Sequence, residues 1–456
     1  MAATSSVKVI SMSKGTFPPG PKGIALFRPL YYFTHEPLDF IISTQRKYGD
    51  IARFRFLKFP VYFCNRPSLI EEILITQSAK FIKSADLREG GSVLGNGLLT
   101  SEGDFWRRQR KLAQPAFHRG RVMAYAKVVT RYGEQMLETW KDSESREIHG
   151  EMMQLTLKIA ARTLFGADLE PETVRVIGES LAAAIQQFDA RVKTGFLLPA
   201  SWHTPGNIRS RNAVRRLDDI LHRIIDQRRE VPAEMDDLLS MLLSARDDSG
   251  AGMDAKQLRD EVMTLLLAGH ETTATTLAWT FYLLAQNPAA EAQLLAELQA
   301  VIPGPMPVYE DLPKLRFTEA IIRESMRLYP PAWAQGRQAA EDCTIGGYDV
   351  PRNTTIYMSQ WVVQRDPRYF AEPDQFQPER WSDALQKKLP RFAYFPFGGG
   401  PRVCIGASFA MMEATLLLAA IASRFRISLV PGQTIKLWPS ITLRPRDGIK
   451  VVLSKR

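Results

Sequence analysis

Phe395-Pro-Phe-Gly-Gly-Gly-Pro-Arg-Val-Cys-Ile-Gly-Ala407 places three consecutive glycines and a proline ahead of a lone cysteine, Cys404. Such a run continues neither a helix nor a strand, so the backbone must turn tightly, expose its amides and deliver the thiol to something. From Ala407 to Ser423 the chain is rich in Ala, Leu and Met with an apolar period, which predicts a helix starting just after Cys404. Amides and helix dipole at that position favour a thiolate. With no second Cys or His at short spacing, a thiolate suits a single metal bond better than a disulfide or a zinc cage. A buried free cysteine in a Gly-rich turn is the competing reading, and the stretch alone leaves both open.

The segment Phe397-Gly-Gly-Gly-Pro-Arg402-Val-Cys404-Ile-Gly406 resembles the heme-binding loop of the cytochrome P450 family, Phe-x-x-Gly-x-Arg-x-Cys-x-Gly. The resemblance implies that Cys404 is the axial thiolate ligand of a heme iron, that Phe397 and Arg402 help bind the cofactor, and that the cofactor is heme b (iron protoporphyrin IX). It also implies further motifs elsewhere in the chain. Upstream, Asp104-Phe-Trp-Arg-Arg-Gln-Arg110 sets Trp106 and Arg110 four apart on one helix face. A basic surface helix would look the same, but the pair resembles the family's Trp-x-x-x-Arg, whose members hydrogen-bond a heme propionate. Arg337 stands where related sequences carry another propionate-binding arginine.

A second anchor lies on a long helix predicted from Asp254, in a box with Gln257, to Asn287 before Pro288. At that length it spans roughly 45 to 50 Å, the width of a domain. The helix is apolar on nearly every side except at Ala268-Gly-His-Glu-Thr-Thr273. Charged and polar groups there would be costly in lipid, so a buried central helix is expected rather than a membrane span. The segment is similar to the family's Ala/Gly-Gly-x-Asp/Glu-Thr-Thr/Ser. There the helix opens locally into an oxygen-binding groove, and the resemblance implies catalytic proton delivery by Glu271 and Thr272. His270 falls at the variable position and reads as packing or solvent-linked.

The third anchor is Glu324-Ser-Met-Arg327 ahead of Leu-Tyr-Pro-Pro331, with Arg380 in Phe376-Gln-Pro-Glu-Arg-Trp381. Glu and Arg three apart on a helix are common surface decoration. By resemblance to the family's Glu-x-x-Arg, the three residues form a buried structural network. Pocket positions implied by the family are the Ser84 to Thr100 loop, read as flexible from its glycines, together with Ala268, Thr273, Trp333, Ala334 and Ile441; Arg88 could reach inward. A break from Thr194 to Ile208, with Phe196, Leu197, Leu198 and Trp202, resembles the family's mobile roof. It would also serve as ordinary packing.

Elsewhere, alternation from Ile51 to Phe56 and from Val61 to Cys64 predicts a hairpin, with a short helix from Pro67 to Thr76 and further strands over Cys343 to Pro351, around a glycine turn, and Thr354 to Ser359. The expected fold is mainly α with a minor β lobe (α+β), the cytochrome P450 fold with its long central helix over heme. Length alone, 456 residues, would admit about three domains. Because the motifs must converge on one heme, the expectation is a loose tail over 1–16 and a single domain over 17–456.

No signal-peptide order or transmembrane anchor is legible at the N-terminus, so a cytoplasmic protein is expected, and the three scattered cysteines exclude a disulfide framework. The net charge of +10 comes without a basic run interleaved with aromatics, which argues against nucleic acid. A solvated basic surface or an acidic redox partner remains, and Arg107, Arg108 and Lys111 are docking candidates. The resemblance implies a monooxygenase that inserts one atom of dioxygen into a small apolar substrate such as a lipid, fatty acid, terpenoid or steroid. No flavin or nicotinamide fingerprint is present, so electrons would come from a ferredoxin- or flavodoxin-like partner with its reductase. Relatives that use or rearrange peroxides form the first rival, and a non-enzymatic heme-binding sensor is a remote one.

Overall fold

The computed structural model describes residues 16–21, 27–56, 59–89, 91–193, 201–230 and 237–456. Most of the tail expected over 1–16 therefore lies outside the described residues, but Thr16 does not hang loose: its carbonyl accepts from Asp349 N at 2.9 Å. Pro19 O accepts from Arg53 N, and Arg53 lies over the Phe17 ring at 4.2 Å, so the extended Pro-rich entry is tied to the sheet lobe.

The chain is mainly helical with several small sheets. Its axis is the helix Ala255–Gln286, started by Asp254, whose carboxylate accepts from Gln257 N at 2.7 Å. Only this half of the expected capping box forms, because Gln257 Oε1 instead accepts from Arg108. Pro288 opens the next helix, Pro288–Val301, as expected of a residue that cannot continue the ladder. Trp279 is wholly buried, stacks on Tyr329 at 4.3 Å and donates to Leu443 O. Against the central helix pack Ile148–Phe165, Arg316–Leu328 and Ala407–Arg424. The last is long and apolar enough to cross a membrane by composition, but 67% of it is buried inside the protein, as a core helix is.

The largest sheet has five strands in the spatial order Ile51–Phe56, Phe59–Cys64, Thr355–Met358, Gln335–Ala339, Phe81–Lys83. The expected hairpin is present in register, Ile51 opposite Cys64. Cys343–Ile345 and Tyr348–Val350 pair through Gly346 and Gly347, both with positive φ. The short helix from Pro67 winds normally to Glu71 and then closes in a wider turn, Gln77 N donating to Glu72 O.

Two expectations for the loops need correcting. Ser84 to Thr100 is not a flexible loop: it holds the helices Ala85–Glu89 and Gly91–Leu94 and is stapled to the central helix. Asn96 N donates to Asp260 Oδ2 at 2.8 Å and Leu98 N to Glu261 Oε2 at 2.9 Å. Gly95, at φ +67°, is needed there, since a Cβ would fall 2.0 Å from the Asp260 carboxylate. Of the break at 194–208, Phe196, Leu197 and Leu198 lie outside the described residues, while Pro205 to Ile208 already form the first turn of Pro205–Glu230. Proline is well placed in that turn, where a missing N–H costs nothing.

Candidate active site

The cysteine loop is held by its own backbone. Cys404 N donates to Phe397 O at 3.0 Å and Gly398 N to Phe395 O at 2.9 Å. Gly400 has φ +68°, and a Cβ on it would sit 1.9 Å from Leu74 O at the wide turn, so no other residue fits. The Cys404 side chain opens into an internal cavity while protein surrounds it on its other sides. Burial pushes its thiol above the ordinary value, and the opposing pull of Gly406 N–H and Arg110 is smaller. This corrects the expectation that amides and helix dipole alone favour the thiolate: without a bound metal, burial wins.

The cavity measures about 580 Å³ and is lined by Trp106, Arg110, Arg337, Phe397, Arg402 and Cys404. Ala268, Glu271, Thr272, Thr273, Trp333, Ala334 and Ile441 line it as well, so all the candidate residues outside the structural network share one space. Their bonds differ in detail from expectation. Arg110 Nη1 donates to Val403 O at 2.7 Å, beside the cysteine. Arg402 is committed to Glu102 at 2.5 Å and to Phe81 O at 2.8 Å, leaving buried Nε without a partner among the described residues. Arg337 is 7% exposed and its side chain donates only to Gly336 O among the described residues; burial, reinforced by Arg402, pushes it down to about 10. Arg88 does not reach into the cavity as a free cation, because it is bonded to Gln338 and Lys83 O.

Sequence reasoning missed Lys83. It is 4% exposed, donates to Leu98 O and Ser101 O, and burial pushes it down to about 7. Lys83 and Arg402 lie over the Trp106 ring at 5.7 and 5.3 Å. Lys83, Arg337 and Arg402 line the cavity together, with Glu102 paired to Arg402 and acting on all three and Glu261 acting on Lys83. Buried positive charge without matching negative charge is costly, so this wall fits an anionic group. Asp189 was also missed, since a carboxylate on an amphipathic helix looks like part of a solvated face. It lies on Pro171–Lys193, lines the cavity and accepts from Ser440 Oγ and Trp438 Nε1, joining that helix to the Ile441 turn.

On the central helix, Ala268 faces the cavity and Thr272 Oγ1 donates to Ala268 O at 2.8 Å. The helix stays continuous here, so the expected local opening is limited to this side-chain bond to the backbone. Glu271 is 1% exposed, accepts from Thr442 Oγ1 at 2.6 Å and lies 3.8 Å from Arg444. His270 is buried, with Nδ1 3.0 Å from Leu266 O. Away from the cavity, Glu324 accepts from Arg327 twice at 2.8 Å, from Arg380 at 3.0 Å and from Trp381 Nε1 at 2.9 Å, a donor that sequence reasoning had not included.

A model of the family described as Cytochrome P450 matches residues 18–452. The chain belongs to the cytochrome P450 family. Cyclooctatin synthase of Streptomyces melanosporofaciens is 38% identical to this P450, over 93% of this chain and 92% of that one. Cyclooctat-9-en-7-ol 5-monooxygenase of the same organism is 35% identical over 91% and 90%. Pentalenene oxygenase of Streptomyces avermitilis is 33% identical over 93% and 95%. The solved structure of retinoic acid bound cyanobacterial CYP120A1 superposes with a TM-score of 0.86, at 26% identity, over 97% of this chain and all of that one. The P450 fold is therefore established, and with it a heme-iron cofactor and the activity of a heme-thiolate monooxygenase on an apolar substrate, served by redox partners. The residues present fit that cofactor: a thiol, a wall of surplus cations for its carboxylates and apolar surroundings line one cavity.

Proposed function

We propose that residues 17–456 form a single-domain cytoplasmic monooxygenase that binds heme b through Cys404 and oxygenates a terpenoid. One observation carries this reading: Cys404, Arg337, Arg402 and the Ala268 to Thr273 segment line the same cavity. Trp106, Arg110, Arg337 and Arg402 would hold the propionates, with Phe397 packed beside the cysteine loop. When bound, heme iron supplies dioxygen activation, which electron donation by a thiolate ligand favours. Cys404 must lose its proton on metal binding, and metal binding drives that loss. Ala268, Thr273, Trp333, Ala334 and Ile441 would shape the substrate end and exclude water. The terpenoid class is supported by relatives named for pentalenene and cyclooctat-9-en-7-ol. Reducing equivalents would come from a ferredoxin- or flavodoxin-like protein and its reductase. Glu324, Arg327 and Arg380 would act structurally.

Glu271 would release a proton toward the cavity, and the Thr272 hydroxyl, fixed by Ala268 O, would hand it on. Thr272→Ala tests the pair. One hydroxyl contributes about 1 kcal/mol to folding, so the variant should retain heme and substrate binding. Its consumption of reduced nicotinamide should shift from product toward hydrogen peroxide. A variant coupled as well as the parent would remove the role given to Thr272, and a parent that turns over a peroxide substrate without reductant would overturn the monooxygenase assignment.

A further inference from the structure

Three buried side-chain atoms near the acid of the central helix have no hydrogen-bond partner among the described residues: His270 Nε2, Glu271 Oε2 and His149 Nε2. Protein interiors leave few such atoms bare, so each needs a water, a ligand or a chemical role. The chemistry of the three atoms is complementary. Because a carbonyl only accepts, the contact of His270 Nδ1 with Leu266 O puts the ring hydrogen on Nδ1 and leaves Nε2 an acceptor. Glu271 Oε2 is an acceptor too when ionised. Two acceptors cannot bond each other, but one water donates to both and accepts from a third group. Donors are at hand in Arg444, 3.8 Å from Glu271 Oε1, and in a His149 ring that carries its hydrogen on Nε2.

The groups come from three elements, and His149 lies close enough to Arg444, Glu271 and His270 to feel their charges. Thr156 Oγ1 donates to His270 O at 2.9 Å and so locks Ile148–Phe165 against the central helix. His149 lies seven residues before Thr156, on the same helix face and roughly 10 Å along the axis. Arg444 belongs to the strand Leu443–Pro445, which follows Thr442. Other charges at this end are engaged: Glu147 caps His149 N and Gly150 N, and Glu151 accepts from Trp140 Nε1 and Arg146. Glu271 and His270 are each 1% exposed, whereas His149 and Arg444 are both partly exposed and so form the solvent side of the group.

We propose that His149, His270, Glu271 and Arg444 enclose an internal water site that carries protons from the solvent side to the Glu271 carboxylate. A proton enters His149 at Nδ1 as the Nε2 hydrogen leaves to the water, and the water passes a hydrogen to Glu271 Oε2. Each group gains one hydrogen and loses one, and His149, left with its hydrogen on Nδ1, returns to the Nε2–H form by proton exchange with solvent before the next transfer. His270 positions the water. Burial pushes His149 down to about 4 and His270 below its usual value, with Arg444 adding to the effect on His149, so both rings are neutral near pH 7 and able to relay. The inference rests on the role proposed above for Glu271 as the proton donor.

A crystal structure of the holoenzyme should show an ordered water within hydrogen-bond distance of both His270 Nε2 and Glu271 Oε2; a dry site overturns the proposal. His149→Gln and His270→Leu should keep heme content and the substrate-induced spin shift while the peroxide-to-product ratio rises about tenfold, most at high pH where protons are scarce. His270→Gln, whose amide oxygen still accepts from the water, should recover most of the coupling. Variants coupled like the parent from about pH 6 to 9 would also overturn the proposal. If His270→Leu does not fold, His149→Gln decides alone. A parent with no heme or no oxygenated product defeats the monooxygenase reading itself, which keeps the two failures apart.

Discussion

Cys404, just before the helix Ala407–Arg424, and Glu413, within it, are both forced by burial toward the protonated form. For Cys404 the iron would reverse that preference, so Cys404→Ala should abolish the red-shifted ferrous carbonyl absorption that marks a thiolate heme. Cys64→Ala and Cys343→Ala should leave the band in place; the opposite pattern would move the ligand elsewhere. Glu413 has no such partner. It is 1% exposed, and burial lifts its carboxyl to about 8, only partly offset by the nearby Thr273 hydroxyl. Neither oxygen makes a well-formed hydrogen bond among the described residues. The folded state therefore keeps a proton that the unfolded chain releases above about 4.5, and stability falls as pH rises from there through about 8. Glu413→Gln should flatten this dependence, recovering up to about 5 kcal/mol at the alkaline end, because each tenfold difference in proton affinity between folded and unfolded chain is worth ~1.4 kcal/mol. Melting temperature against pH, parent beside variant, reads it directly; parallel curves would show that Glu413 is ionised when folded.

At the scale of elements, the helix Arg316–Leu328 is tied to the segment after it through one carboxylate. Glu324 and Arg327 are both 0% exposed, and Arg380 joins them at 3.0 Å. Glu324→Ala would strand two buried guanidinium groups, costing about 3 to 5 kcal/mol, and should show as a lower melting temperature and poor heme incorporation. Full heme content with unchanged melting would make the pair mere decoration. This network, the cysteine loop and the central helix were legible because each carries a local signal: a helical spacing, a Gly-Gly-Gly-Pro turn, a polar break in an apolar helix. What stayed hidden depends on partners far apart in sequence. Asn96 and Asp260 are 164 positions apart, and Glu102 meets Arg402 across 300, so nothing local marks Asp260, Glu261 and Glu102 as partners. Lys83 gave no warning either, because nothing around Phe81–Lys83 announces that its ammonium is buried under the Trp106 ring.

For the molecule as a whole, the question is where electrons enter, and the pairing of surface charge changes the expected answer. Arg108 was a docking candidate, but it is bonded to Asp247, Gln257, Ala251 O and Gly252 O, so it holds the fold together. Arg107 pairs with Asp104, and Lys111, still 67% exposed, pairs with Asp248. Arg119 is a better candidate. It is exposed at the start of Arg119–Glu138, two residues after Phe117, which borders both the cavity and Gly406 of the cysteine loop. A cation at a helix N-terminus opposes the dipole, so its presence there is not explained by helix stability. That conflict makes a clean experiment. Arg119→Glu should hold or raise the melting temperature, because the reversed charge improves the helix start by about 0.3 to 1 kcal/mol. Combined with Lys111→Glu, it should slow reduction by an acidic ferredoxin- or flavodoxin-like partner, and the deficit should shrink as salt screens the attraction in the parent. Substrate titration should be unchanged. A double variant that melts like the parent and is reduced equally fast at low salt would move the docking surface away from this end of the molecule.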